Sequence, residues 1–343
     1  MCTGIRLIAD DGALVFGRTM EFSPEVLHYD LNYVPKGINF RGETDQGKEG
    51  IKWQSDNAFV SWTVLNTDIV MEGINEKGLS IGGFFFYPYD EASFQLQAAN
   101  TERTLTGAQV ITLLLSICGS VADAKELLPT LNVICKEVPI PGWDGVKPTL
   151  HYTMYDQQGG SAVIEYLEGE LVIIDNPLGS ITNQPSFKWH QRNLEQYTSL
   201  PIRETAPIKD TTERVKEGLD IGNDKELPGG FTAQDRFVRA SIYSQVATPM
   251  KDANEAILRV KNILNHFDLP QGYKKTALGE NATLTQTTQW TSITDIKALH
   301  MYFTTVNNPN LQRVSLPELM ESGATEITKV KFADSLNFAE VSI

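Results

Sequence analysis

Hydrophobic and polar positions alternate in short runs at the start of the chain. Ile5 to Ala9 and Ala13 to Arg18 flank Asp10-Asp11-Gly12, a turn signal between two β-rich runs. The pattern predicts a hairpin whose first strand begins almost at Cys2, so sheet pairing would hold that residue in place. NAFVSWTVL (57–65) and TDIVMEGI (67–74) read as further strands. GINEKGLSIGGFFFYP (73–88) reads as strand, a turn over Asn75-Glu76-Lys77-Gly78, then strand. The period then changes. Val110, Leu113, Leu114 and Ile117 recur at helical spacing, Gly119-Ser120 separates two helices, and Ser120 with Asp123 marks the start of the second.

HYTMYDQQGGSAVIEYLEGELVIIDN (151–176) returns to three strands, with tight turns at Gln158-Gly159-Gly160 and Glu168-Gly169-Glu170. A long polar stretch over about 190–230 predicts a helix and then an extended excursion, and loops of that length are often functional. FTAQDRFVRASIYSQVAT (231–248) is a helix capped by Thr232, with Val238, Ile242 and Val246 on one face. ANEAILRVKNILNHF (253–267) is another, and 289–308 and 310–316 return to strand. Strands, helices, strands, helices, strands, with hairpin turns between strands, predict an α+β fold. Its expected form is a four-layer αββα sandwich of two mostly antiparallel sheets. No linker, low-complexity run or internal repeat divides 1–343, so one domain is expected.

Composition changes this picture mainly by exclusion. A formal charge of -14 argues against nucleic-acid binding, which needs clustered Lys and Arg. No run approaches the roughly eighteen apolar residues of a membrane helix. MCTGIRLIADDG lacks the apolar core of a secretory signal, so the cytoplasm is the expected compartment. One alternative stays open, that an export signal preceded Met1 in the natural chain. Cys2, Cys118 and Cys135 form no CxxC pair, which disfavours a disulfide framework or a thiolate zinc site. His28, His151, His190, His266 and His300 are dispersed, without metal spacing, and read as structural or surface residues. Gly78-Leu79-Ser80-Ile81-Gly82 matches GxSxG, but a serine nucleophile needs a strand before it and a helix after it, and a strand-like run follows here.

What remains is Cys2. If Met1 is removed, one residue carries both a thiol and a free α-amine. A cysteine has a pKa of about 8.5 and an α-amine about 7.7 to 8.0, so a neutral amine is available to take the thiol proton. Five ordered motifs extend this reading: MCTGIRL, FGRTMEF, GINEKGLSIGG, GSITNQPSFKWH and LPGGFTAQDRFVR. Together they resemble the choloylglycine hydrolase family, which contains penicillin V acylases and conjugated bile acid hydrolases, amidases with an N-terminal nucleophile.

The resemblance implies the αββα fold and a set of roles. Cys2 would be nucleophile and, through its amine, base. Arg18 would sit near the thiol and favour the thiolate. Glu21 stands where the family usually has Asp, and would bind the amine through a side chain one methylene longer. Asn183 would donate its side-chain amide to the oxyanion, and Arg236 would complete the positive surround. Phe85 falls on a position that is Asn or Tyr in well-known members, so any oxyanion contact there would come from its backbone N–H. Phe22, Phe84, Phe85 and Phe86 are candidate walls of an acyl pocket.

The implied reaction is hydrolysis of a small-molecule N-acyl amide through a thioester, without cofactor or metal. Penicillin V acylase-like activity ranks first, conjugated bile acid hydrolysis second and N-acyl homoserine lactone hydrolysis third. A catalytically inactive binding protein on the same fold is the alternative of another class. Retention of Cys2, Arg18, Asn183 and Arg236 argues against it. The 190–230 region matches one that reaches a neighbouring subunit in the family, so a homotetramer is expected.

Overall fold

The structure is a computed structural model that describes residues 1–44, 48–86, 101–138, 147, 149–197, 227–278 and 282–338. Strands β1 (Cys2–Ile8) and β2 (Leu14–Phe22) form the expected hairpin, in register Cys2↔Met20 and Gly4↔Arg18. Its turn closes by Gly12 N–H to Ala9 O, and Asp11 Oδ1 accepts Ala13 N–H. Short Asp side chains satisfy turn amides in this way. β2 continues into a sheet with β15 (Ala282–Asp295), β16 (His300–Thr305) and β17 (Gln312–Ser315), and β14 (Lys274–Leu278) pairs the start of β15.

The second sheet runs β13 (Glu170–Asp175), β12 (Ser161–Leu167), β11 (Leu150–Tyr155), β8 (Ser80–Phe85), β7 (Ile69–Asn75), β6 (Phe59–Val64), β3 (Tyr29–Val34) and β18 (Thr328–Lys329). Every neighbouring pair in both sheets is antiparallel. Two small pairs lie apart, β4 (Asn39–Glu43) with β5 (Glu49–Gln54), and β9 (Thr104–Thr106) parallel to β10 (Asn132–Ile134).

Alternation along β2 separates the layers. Phe16, Arg18 and Met20 point between the sheets, where Phe16 meets Tyr155 at 4.8 Å and Trp62 stacks on Trp290 at 5.2 Å. Val15 points the other way, into a cluster with Ile5, Leu7 and Ile293 beneath the helix Ala253–Leu264. The helices are α1 (Val110–Ile117), α2 (Val121–Leu127), α3 (Phe187–Leu194), α4 (Ala233–Gln245), α5 (Ala253–Leu264) and α6 (Leu316–Glu321). α5 packs on the outer face of β1, β2 and β15, and α1 on the outer face of β7 and β8. The approach is close at both places. A methyl group at Gly17 would strike Val260, and one at Gly83 would strike Ile111. The layer order is therefore helix, sheet, sheet, helix.

Ser80 opens β8 and is buried, with strand rather than helix after it, so the GxSxG match is packing. α3 occupies the beginning of the 190–230 stretch. The extended excursion expected there falls largely on 198–226, outside the described residues. Among the described residues no helix is long and apolar enough to cross a membrane.

Candidate active site

Cys2 begins β1 and is only 2% exposed, held on the inner face rather than in a loose terminus. Its S–H points at Met20 Sδ across the hairpin, at 3.8 Å. An isolated bridge between Gly4 and Ile181 ties β1 to the segment carrying Asn183. That tie brings Asn183 Oδ1 within 2.9 Å of the Cys2 N–H, across 181 residues of sequence.

Arg236 closes the cluster from α4. Thr232 Oγ1 accepts the Asp235 N–H at 3.1 Å, the cap expected from sequence, and this places Arg236 in the first turn. Arg236 Nη2 donates to Asn183 Oδ1 at 2.7 Å. Its Nη1 donates to Cys2 O and to Thr3 Oγ1, the latter at 2.9 Å. Asn183 Nδ2 in turn donates to Phe85 O at 2.7 Å. The amide orientation is thus fixed by partners on three elements, two donors at Oδ1 and one acceptor at Nδ2. The Phe85 main chain meets Asn183 through its carbonyl as acceptor, not through the N–H expected to face an oxyanion. Burial pushes Arg236 below its ordinary pKa, against the opposing pull of Glu21 and Cys2.

Arg18 is fully buried between the sheets. Its Nη1 donates to Gly83 O at 2.7 Å and Met71 O at 3.2 Å, and its guanidinium lies 4.5 Å from the centre of the Phe84 ring. Nη2 reaches Met20 Sδ at 3.6 Å, so Arg18 and the Cys2 thiol meet at one thioether. The carboxylate opposite this cation is Glu72 of β7, also buried. Trp290 Nε1 donates to its Oε1 at 2.5 Å and Ser292 Oγ to its Oε2 at 2.6 Å. Burial raises the Glu72 pKa, with Arg18 the main opposing charge.

Glu21 is buried beside the chain start. Thr288 Oγ1 donates to its Oε1 at 3.3 Å, and Oε2 has no hydrogen-bond partner among the described residues. Burial raises its pKa, opposed first by the Met1 ammonium and then by Arg236. That ammonium donates to the Glu21 carbonyl at 3.0 Å, and burial lowers its own pKa. Lys274 Nζ approaches Met1 Sδ at 3.2 Å. The longer Glu therefore still keeps its carboxylate within electrostatic reach of the chain's first atoms.

The four phenylalanines part company. Phe84 is wholly buried between the sheets and Phe86 stacks on His151 at 4.6 Å, so both serve the interior rather than an open wall. Strand alternation puts Phe85 on the other face, and it is half-buried. Phe22 is also half-buried, against an apolar cluster of Val26, Val138, Leu284, Leu65 and Ile69. Of the four, Phe22 and Phe85 are the ones left partly exposed.

Sequence reasoning missed Met20 and Glu72, while His151 and His190, read there as structural or surface residues, are both buried. Met20 and Glu72 carried no local signal. His151 did: a turn at 156–160 pairs Tyr155 with Ser161, and counting outward sets residue 151 opposite residue 165. Among the described residues no group of three His, Cys, Asp or Glu side chains is placed to hold a metal ion.

Residues 2–327 match the model of the linear amide C–N hydrolases, choloylglycine hydrolase family. An uncharacterized protein, A284L, of Paramecium bursaria Chlorella virus 1 is 30% identical over 92% of this chain and all of its own length. A bile salt hydrolase/transferase of Clostridium perfringens is 26% identical, with 100% of each chain covered. Among solved structures, a mutant conjugated bile acid hydrolase from Clostridium perfringens superposes with a TM-score of 0.77 at 24% identity, with 100% of each chain covered. Penicillin V acylase from Agrobacterium tumefaciens gives 0.74 at 23% identity, covering 96% of this chain and 90% of its own. These two structures share the fold of this chain, and the chain belongs to the choloylglycine hydrolase family of linear amide C–N hydrolases.

Proposed function

We propose that, once Met1 is removed, Cys2 is the nucleophile of a penicillin V acylase-like amidase. The Cys2 α-amine takes the thiol proton, and the sulfur attacks the acyl carbonyl. The second Asn183 Nδ2 hydrogen meets the oxyanion. Such donors, held in place before the charge develops, are worth a few kcal/mol. The protonated amine then gives its proton to the leaving nitrogen as the C–N bond breaks. Water cleaves the thioester and regenerates the thiol. Arg236 and Glu21 hold the amine end, and Arg18 supplies positive charge on the sulfur side.

The observation that carries this reading is the Cys2 nitrogen within 2.9 Å of Asn183 Oδ1, itself held at 2.7 Å by Arg236. One residue's thiol and future amine thus sit beside a fixed amide. Intact mass and a Cys2→Ser comparison test it. Loss of the Met1 mass and loss of hydrolysis in the variant are expected. An enzyme that keeps Met1 and hydrolyses equally well with serine would end the proposal.

For substrate, half-buried Phe22 and its apolar cluster favour an aryl or fatty acyl group. A phenoxyacetyl amide is expected to turn over faster than glycocholate on the purified enzyme, and the reverse order would remove this ranking while leaving the amidase intact. Bile acid conjugate hydrolysis is the second reading, favoured by the Clostridium perfringens relative that aligns along the entire chain. N-acyl homoserine lactones stand third for the same apolar wall.

A further inference from the structure

Two buried histidines stand behind Asn183, and neither enters the chemistry above. His151 of β11 directs Nε2 at Thr182 O, 2.9 Å away, and Nδ1 at Glu165 Oε1, 3.1 Å away. The same Glu165 oxygen accepts the Phe187 N–H at 2.8 Å, the first residue of α3. His190, one turn further along α3, directs Nε2 at Asn183 O, 2.9 Å away. Both rings are about 1% exposed.

The proton count is constrained. A carbonyl only accepts, so each Nε2 carries hydrogen. With Nε2–H assigned, an ionised Glu165 facing a bare His151 Nδ1 would set two acceptors against each other. One proton therefore lies between them. His190 Nδ1 is buried without a partner among the described residues, which suits a neutral ring. Burial holds its pKa down at about 4, consistent with that state.

The rings are themselves held by the site's other walls. His190 stacks on Phe237 at 4.6 Å, next in sequence to Arg236. His151 stacks on Phe86, next to the Phe85 carbonyl that receives Asn183 Nδ2. The carbonyls of two successive residues, Thr182 and Asn183, are thus each fixed by an imidazole N–H. The Gly4–Ile181 bridge fixes the residue before them.

We propose that His190 and the His151–Glu165 pair are positioning residues for Asn183. They lock the Thr182–Asn183 main chain so that the side-chain amide offers Nδ2 to the oxyanion. This rests on the oxyanion role proposed for Asn183. Misplacement of a reacting group by about 1 Å can cost on the order of 100-fold in rate.

The test is His190→Phe, which keeps the stack on Phe237 and removes the N–H. Against a phenoxyacetyl amide, kcat is expected to fall about 10- to 100-fold with KM within about twofold. The rate of Cys2 alkylation by iodoacetamide, which forms no oxyanion, stays within about twofold. His190→Gln, whose Nε2–H can reach the same carbonyl, recovers most of the loss. In an Asn183→Ala background His190→Phe adds nothing. An undiminished kcat, an equal fall in alkylation, or additive losses in the double variant would overturn the proposal. If His190→Phe does not fold, His151→Phe is read by the same comparisons. If Asn183→Ala alone leaves kcat intact, the oxyanion reading and this one fall together. If Asn183→Ala is inactive and the losses still add, only this one falls.

Discussion

Glu21 and His190 are both buried titratable groups, and they tilt stability with pH in opposite directions. The folded-state pKa of Glu21 lies above its ordinary 4.5, because burial disfavours the carboxylate. Above 4.5 the folded protein holds the proton more tightly than the unfolded chain, so stability falls as pH rises through that window. Glu21→Gln should therefore raise the urea midpoint at pH 7 more than at pH 4, while lowering kcat through the lost amine partner. A midpoint that drops at pH 7 would mean the carboxylate stabilises the fold. His190 has the opposite sign. Its folded pKa is about 4 against an ordinary 6.5, again through burial. The unfolded chain binds more protons between those values. The contribution is complete above pH 6.5 and is lost as pH falls toward 4, on the order of 3 kcal/mol over the full span. Urea titrations at pH 7 and pH 4.5 should show a smaller fall in stability for His190→Gln than for the wild type.

At the scale of elements, Glu72 is the main polar tie between the sheets near the site. From β7 it binds Trp290 and Ser292 of β15, whose register partners on β2 are Met20 and Arg18. Burial raises its pKa despite the Arg18 charge, so its contribution to stability is carried by these two hydrogen bonds rather than by its charge. Glu72→Leu leaves both donors unpaired, at about 1 to 3 kcal/mol each, and should destabilise the protein by a few kcal/mol. Glu72→Gln, which still accepts from Trp290 and can donate to Ser292, should cost much less in chemical denaturation. Equal losses in the two variants would show that the charge is what stabilises. This tie also marks where sequence stops being informative. The first hairpin, the paired turns of 151–176 and the Thr232 cap are local, and their turn and cap residues name them. The pairing of β2 with β15 joins residues about 270 apart, and no local pattern encodes such a partner. Cys2, Arg18, Asn183 and Arg236 were legible because they lie in motifs that resemble a family. Glu72 lies just before one such motif and His190 at the end of another, yet their work depends on contacts between sheets and helices that only the folded chain brings together. Phe84 misled because adjacent aromatics in a strand look alike until the facing sheet decides which side is interior.

For the whole molecule, the open question is how many copies assemble around the site. α3 ends near residue 194, the described chain resumes at Leu227, and Arg239 Nη1 donates to Gly230 O at 2.7 Å, anchoring the returning end to α4. Both of these ends lie on the elements that carry or neighbour Asn183 and Arg236. Trp189 of α3 is 42% exposed and Tyr273 is 64% exposed, large apolar surfaces near the same two anchors in a chain of formal charge -14. Aromatic rings of this kind are enriched where subunits meet. Like-charged copies repel at long range, so an assembly needs such short-range apolar contact to form. A homotetramer is the expected state. Light scattering at low micromolar concentration should give about four times the chain mass of 38.1 kDa, with little change on adding salt, as apolar contacts are insensitive to screening. Trp189→Glu should shift the mass downward while Cys2 alkylation persists, since α3 holds His190 on its other face. A single species at the mass of one chain in the unaltered protein would overturn the homotetramer.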